Sequence, residues 1–355
     1  MHHPGKSDTV DSLTQFTLGA ALGATTLGAR IGARAALMGG LLATLPDLDV
    51  IVRYSDPVAS FTYHRSATHS LLLLSVVTPL LAWCAMRLAG RAALSRVALS
   101  QGGERVSFRA WCWMVWLCLI THPLLDAATV YGTQLLWPLS EHPFGAGSIF
   151  IIDPLYTLPL AAGVIAFVAM RRRRRLGVRL AVTGLSVSTA YLALTLLFQA
   201  HVTAIIEEDL RESAMAQARL LVIPTPFNAL LWRAVVMQED AYYVGYYSLL
   251  APRRPIEFKS YAHDEQLLEA HADVWAVRRL KWFSRGFLSA EVRAGQLVLS
   301  DLRMGAEPDF YVFSFAVAAH DGARLVPYSV TRRIPPIRPD KAALARIYER
   351  LMTGS

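Results

Sequence analysis

Charge is what this sequence has least of. Asp, Glu, Lys and Arg make up 17% of its 355 residues, against about a quarter in soluble globular domains. The deficit is local: residues 1–200 hold 16 basic and 9 acidic side chains, whereas residues 201–355 hold 19 and 18, an ordinary density. The first half is therefore expected to be an α-helical multi-pass membrane domain, and residues 201–355 a small soluble α+β domain. The net charge of +8 lies mostly in the first half, and no basic stripe interleaved with aromatics runs through the second, so no nucleic-acid partner is expected. Cysteine is scarce as well. Cys84, Cys112 and Cys118 all fall in apolar stretches, which excludes a disulfide framework and reads as small apolar packing. HExxH, GxSxG and Walker A patterns are absent, leaving zincin, α/β-hydrolase and P-loop readings without support. Residues 1–12 are polar and lack the basic start of a cleavable signal, so none is expected.

What is present is apolar length. Stretches near 12–29, 35–51, 70–89, 110–130, 149–170 and 176–200 suggest about six spans, the last four nearest the roughly 20 residues that a crossing needs. The first two are rich in glycine, including Gly19, Gly23, Gly39 and Gly40, and are expected to pack as a short, tight hairpin. Of the 16 basic residues in this half, 13 lie in loops near 30–34, 87–109 and 171–179. The positive-inside rule places those loops in the cytoplasm and the C-terminal domain on the periplasmic or extracytoplasmic side of a bacterial inner membrane. The Arg171–Arg175 run reads as a topology anchor on anionic lipid headgroups.

The ionisable residues that remain are unevenly placed. Asp47, Asp49, His64, His69, His122, Asp126, Glu141, His142 and Asp153 all fall toward the outer side. At about 1.5 Å per helical residue, Asp47 and His122 lie roughly 20 Å from their cytoplasmic arginines, and His69 and Asp153 roughly 27 Å. Separate helices thus bring Asp or His to one depth, where such residues are costly and default to function. His122 and Asp126, four apart, share one helix face. Mixed His and carboxylate donors suit zinc, with manganese or iron as alternatives, better than magnesium or calcium. Taken singly, Asp47 and Asp49 also suit helix capping, and His64 and His69 an interfacial position.

These residues form Leu45-Pro46-Asp47-Leu48-Asp49, His64-Arg65 with Thr68-His69-Ser70-Leu71, and Thr121-His122 followed by Asp126, Thr129, Gly132 and Leu135-Leu136-Trp137-Pro138. Together with the Asp11-Ser12-Leu13-Thr14 opening, they resemble the bacterial inner-membrane metal-dependent hydrolase family, also labelled LexA-binding inner-membrane-associated hydrolases, over about residues 11–160. The sequence departs from that family at Gln15, where a His is frequent, with Asp11 a possible substitute, and at Ser66, where a Gly is usual. The resemblance implies a metal site more firmly than a reaction.

The expected function is a membrane-embedded, metal-dependent hydrolase acting at the outer leaflet on a lipid or lipid-linked ester or phosphoester. Asp47, Asp49, His64, His69, His122 and Asp126 form the ligand pool for one or two ions. Arg65 is the candidate for binding phosphate or an oxyanion, and Glu141, His142 and Asp153 are candidates for general acid–base work or for supporting the ligands. An ion-coupled transporter and a metal-stabilised structural or regulatory protein are the rivals. The former needs ionisable groups through the full depth of the spans, the latter a closed four-ligand site. In the second half, a polar helix over 203–220, strands at 230–237, 242–249, 280–287, 296–302 and 311–319 with turns at Gln238-Glu239-Asp240 and His320-Asp321-Gly322, and a closing helix at 341–351 suggest one antiparallel sheet. Trp232, Tyr243, Trp282 and Phe313 are expected in its core.

Overall fold

The computed structural model describes residues 6–52, 54–94, 106–308, 310–321, 324–336 and 341–354, without side chains for 6–12, 90–94 and 341–344. Arg53, Arg96, Glu104 and Arg105 lie outside the described residues, and the Asp11, Lys6 and Arg91 side chains are not described.

Small residues decide how the first helices meet. α1 (Lys6–Thr26) turns through α2 (Gly28–Ile31) into α3 (Ala33–Ala43). A Cβ added at Gly19 would sit 2.3 Å from the Gly39 carbonyl oxygen, so the two backbones touch where only glycine fits. This is the tight hairpin expected of the first two stretches. Pro46 then opens a 3-10 turn, Pro46–Ile51, and α4 (Pro57–Tyr63) follows, capped by Asp56, which accepts from the Val58 and Ala59 amides. A second 3-10 turn, Ala67–His69, leads into α5 (Leu71–Leu94). α6 (Phe108–Ala128) and α7 (Pro154–Ala169) complete the bundle with α8 (Arg174–Leu210).

Among the described residues three helices, not six, have the length and hydropathy of a span, Leu71–Ala89, Phe108–Ala128 and Arg174–Leu210, while Ala33–Ala43 and Pro154–Ala169 are shorter apolar helices. Proline sets the shorter lengths: Pro46 ends the third helix's path early, and Pro154 starts α7 inside its apolar stretch. The helices share a core that includes Leu22, Leu42, Leu74, Trp111, Leu119 and Leu160.

α8 continues for 37 residues and ends at Leu210, so the polar helix expected over 203–220 is its last turns, and residues 219–224 are a strand instead. The extramembrane part holds two four-stranded antiparallel sheets rather than one. The first has the order β1 (Arg219–Pro224), β2 (Leu231–Met237), β3 (Ala241–Ser248), β4 (Lys259–Ala262). α9 (Glu265–Ala270) and α10 (Trp275–Phe283) come next. The second sheet has the order β10 (Arg324–Ile334), β9 (Ser314–Asp321), β6 (Gln296–Asp301), β5 (Leu288–Arg293), and β7 (Gly305–Ala306) and β8 (Phe310–Tyr311) form a ribbon. The expected turn at Gln238–Asp240 joins β2 to β3, closed by the Gln238 amide donating to the Ala241 carbonyl at 2.9 Å. The turn expected at His320–Gly322 runs into Gly322, outside the described residues.

The strand expected at 280–287 is a correction: its first residues complete α10. Ala276, Val277, Leu280 and Phe283 are buried at helical spacing, and Arg285 and Gly286, both at positive φ, end the helix. α11 (Lys341–Thr353) closes the chain. Trp232 is fully buried, and Tyr243, Trp282 and Phe313 are packed at core margins, as expected.

The extramembrane part is not merely tethered. Val58 and Phe61 of α4, with Tyr131, belong to the same apolar core as Phe283, Leu299 and Phe315. The Phe61 ring lies 4.9 Å from that of Phe283 and 4.3 Å from that of Phe313. Asp56 accepts from the Thr331 amide (2.8 Å) and hydroxyl (2.9 Å), and Arg279 donates to Thr62 Oγ1 at 3.0 Å.

Candidate metal centre

Two 3-10 turns and one helix converge near this seam. Pro46 turns the chain out of α3 so that Asp47 and Asp49 lie on consecutive edges of the 3-10 turn. His69 closes the second 3-10 turn, and α6 carries His122 and Asp126 one turn apart. Among the described residues one group of His and carboxylate side chains converges as a metal site would: Asp47, His69, His122 and Asp126, with one donor atom from each lying within 4.8 Å of the others. Nε2 of His69 is 3.1 Å from Nε2 of His122, 3.6 Å from Asp47 Oδ1 and 3.2 Å from Asp126 Oδ2. Nε2 of His122 is 3.2 Å from Asp47 Oδ1 and 3.4 Å from Asp126 Oδ2. His69, His122 and Asp126 are buried, and Asp47 alone is partly exposed.

The hydrogen-bond network assigns the tautomers. The Ala43 carbonyl only accepts, so the His122 Nδ1 beside it at 2.6 Å carries the hydrogen. Thr68 Oγ1 gives its one hydrogen to Asp49 Oδ2 (3.0 Å) and must accept from His69 Nδ1 (3.0 Å). In its neutral form each ring therefore aims a lone pair at the same point as two carboxylate oxygens. Such a pair of nitrogens at 3.1 Å repels unless a cation or a proton lies between them. Oδ2 of Asp126 is buried with no hydrogen-bond partner among the described residues, as a ligand atom would be. The donor set fits a divalent metal.

The remaining candidates sit around this group. Asp49 is one layer out: it accepts from the Arg65 amide (3.1 Å) and pairs with His64 Nδ1 (2.9 Å), and its Oδ2 is 4.0 Å from His69 Nδ1. His64 is one-quarter exposed, with its ring 6.0 Å from that of His69. Arg65 takes a positive φ of 62° and turns its guanidinium inward, with Nε 3.3 Å from Asp126 Oδ2 and the group 4.9 Å from the Tyr131 ring centre. It offsets the charge of the buried carboxylate. Glu141 is not in the group: it is exposed and paired with Arg279 at 3.2 Å. Asp153 caps α7, accepting from the Leu155 amide (2.9 Å) and the Tyr191 hydroxyl (2.8 Å). His142 packs on Phe144 instead.

Two contributions were not legible in the motifs. Gln15 does not leave a gap: its Nε2 donates to Asp126 Oδ1 at 2.9 Å, fixing which oxygen faces the histidines. Tyr131 closes over Arg65 and donates to the Phe61 carbonyl at 2.8 Å, joining the site to the core above it. No motif marks either role, although Thr68, which orients His69, lies inside the His64–His69 segment.

Comparison with known proteins agrees with the motif resemblance. The family profile described as YdjM inner membrane protein matches residues 10–202. An uncharacterized protein of Bacillus subtilis (strain 168), YfhP, is 25% identical over 249 residues, covering 66% of this chain and 68% of that protein. No solved structure gives a significant match. With membrane-length helices, the ordered motifs and a profile match spanning more than half its length, the chain belongs to the YdjM inner membrane protein family.

Proposed function

We propose that this protein is a membrane-embedded, metal-dependent hydrolase that acts at the outer leaflet on a lipid-borne ester or phosphoester. The observation that carries the reading is the convergence of two histidine lone pairs and two carboxylate oxygens on one point. Asp47, His69, His122 and Asp126 would hold the ion. The donor separations of 3.1–3.6 Å would suit one small divalent ion, and the mixed His and carboxylate donors would suit zinc first. Lewis acidity is what such an ion supplies when bound: it polarises a phosphoryl or carbonyl oxygen and makes water more acidic.

The chain's own residues do the rest. Ala43 and Thr68 lock the two imidazoles, and Gln15 and Arg65 hold Asp126. The Asp49–His64 pair lies at the less buried side, where Asp49 orients Nδ1 and leaves Nε2 to take a proton from the attacking water and return it to the leaving group. Leu48, Val50, Ile51 and Val52, on or beside the turn that carries Asp47 and Asp49, are all exposed, which supports an approach from lipid. The Arg171–Arg173 turn lies at the opposite end of the α7–α8 pair from Asp153, which supports a cytoplasmic arginine loop and an extracytoplasmic C-terminal domain.

The test is metal content per chain in detergent-purified protein, with hydrolysis of lipid phosphoesters, for wild type and a His69→Ala/His122→Ala double variant. One ion per wild-type chain, lost in the variant together with hydrolysis, is expected. A bound ion without hydrolysis across lipid esters and phosphoesters would favour a structural metal. Wild type that takes up no zinc or manganese would overturn the site itself.

A further inference from the structure

A second cationic site lies on the extramembrane part, away from the metal residues. The face of α10 that carries Arg278, Lys281 and Trp282, with Arg285 just past the helix end, lines an open cavity of about 530 Å³ with Arg219 from β1. Leu268 and Val277 give the cavity an apolar floor.

Arg285 is the unusual member. It occupies the left-handed region at φ 56°, which an arginine adopts only against steric resistance, and the next residue, Gly286, has φ 78°. Its Nε and Nη2 atoms are buried and have no hydrogen-bond partner among the described residues. The neighbouring carboxylate, Asp301, is spent on Arg303, whose Nε and Nη2 it accepts at 2.9 and 2.6 Å. A buried guanidinium donor without an acceptor is costly, and two on one side chain call for an anion. Arg219 lies directly over Gly286: a Cβ there would be 1.8 Å from Arg219 Nη1, so only glycine leaves room for the second guanidinium at this place. Glu265 offsets part of the charge, pairing with Lys281 at 2.6 Å and Arg219 at 3.9 Å, whereas neither Arg278 nor Arg285 is in an ion pair among the described residues. Burial and the nearby Arg303 push the Arg285 guanidinium down to about 10, still cationic at neutral pH.

We propose that this cavity binds a phosphomonoester, with Arg285 as the bidentate anchor, Arg219 and Arg278 as flanking cations, and Trp282 with the apolar floor against the ester's organic group. The planar fork of Arg285 matches two phosphate oxygens, and the doubly charged monoester satisfies more of the cavity's charge than a diester does. The assignment is independent of the metal centre and of any hydrolysis there.

The test is calorimetric titration of the full-length protein in detergent with inorganic phosphate, phenyl phosphate and a short-chain phosphatidic acid kept below its micelle concentration. Wild type is compared with Arg285→Gln and with Arg293→Gln, which removes an exposed arginine outside the cavity. Thermal melting of each verifies folding. Binding in wild type and in Arg293→Gln, weakened at least tenfold in folded Arg285→Gln, is expected. Phosphatidic acid binding tenfold tighter than phenyl phosphate identifies a lipid headgroup as the source, and the reverse or equality a soluble ester. No binding of any probe to wild type, or equal binding to Arg285→Gln, overturns the proposal. Should Arg285→Gln fail to fold, Arg278→Gln is read by the same criterion.

Discussion

Thr68→Val is the perturbation that tests the metal-centre geometry most directly. Valine matches threonine in shape, and Thr68 is exposed, so the stability of the fold should change by no more than about 0.5 kcal/mol. What is lost is a relay: the Thr68 hydroxyl accepts from His69 Nδ1 and donates to Asp49 Oδ2, each at 3.0 Å. Without it nothing holds the hydrogen on Nδ1, and His69 is free to place its hydrogen on Nε2, the atom that faces His122 and Asp126. Loss of such an outer hydrogen bond costs about 10- to 100-fold in metal affinity. That corresponds to roughly 1.4–2.7 kcal/mol, at 1.36 kcal/mol per tenfold. The assay is competition for zinc against a chromophoric chelator in detergent micelles, with Thr68→Ser expected to recover most of the loss because it keeps the hydroxyl. A Thr68→Val affinity within twofold of wild type, in protein that melts normally, would refute the tautomer assignment.

Other consequences can be measured separately. Gly39→Val should destabilise the protein by about 1–3 kcal/mol in detergent melts, since a Cβ at Gly39 would sit 2.1 Å from the Gly19 carbonyl oxygen. Phe61→Ala should cost about 3–5 kcal/mol and speed limited proteolysis within the two sheets, because its ring packs on Phe283, Phe313 and Phe315. His263 should give the extramembrane part a pH dependence. Burial pushes its imidazole below the ordinary 6.5, Glu265 opposing only in part, and Nδ1 accepts from the Ala290 amide at 3.2 Å. The unfolded chain therefore binds the proton more readily, so stability is full above pH 6.5 and falls as the pH drops below it. Melting between pH 7.5 and 5.5 should show that fall in wild type and a flatter profile in His263→Gln (about one proton's worth, by linkage).

The sequence made the site's membership more legible than its geometry. Four-residue spacing placed His122 and Asp126 together, and Pro46 marked the turn that carries Asp47 and Asp49. Depth along a helix can be counted from a sequence, but the direction a side chain faces around the bundle cannot. Asp153 was grouped with the others by depth, yet it turns to Tyr191 and its own helix start. Asp49 and His64 lie close by, but their partners are Thr68, the Arg65 amide and each other. In the extramembrane part the same limit applied to short apolar runs. Leu280–Phe287 reads equally as strand or helix end, and only the packing of Val277, Leu280 and Phe283 decides for the helix. The helix expected to run to residue 220 in fact ends at Leu210, and the pairing of Leu220 and Leu221 with Val236 and Val235 of β2 is invisible locally.

The shared core formed by Phe61, Tyr131, Phe283 and Phe315 also sets an order of events during biosynthesis. The ribosome delivers Phe61 and Tyr131 long before the strands that enclose them, and the membrane helices between must be threaded first. The second sheet can close its core only when α4 and the Tyr131 segment stand on the same side of the bilayer as the C-terminal residues. Insertion thus acts as a checkpoint on folding. A chain that inverts at its arginine loop would carry not a displaced domain but one with an open core, exposed to quality-control proteases from the moment of its synthesis.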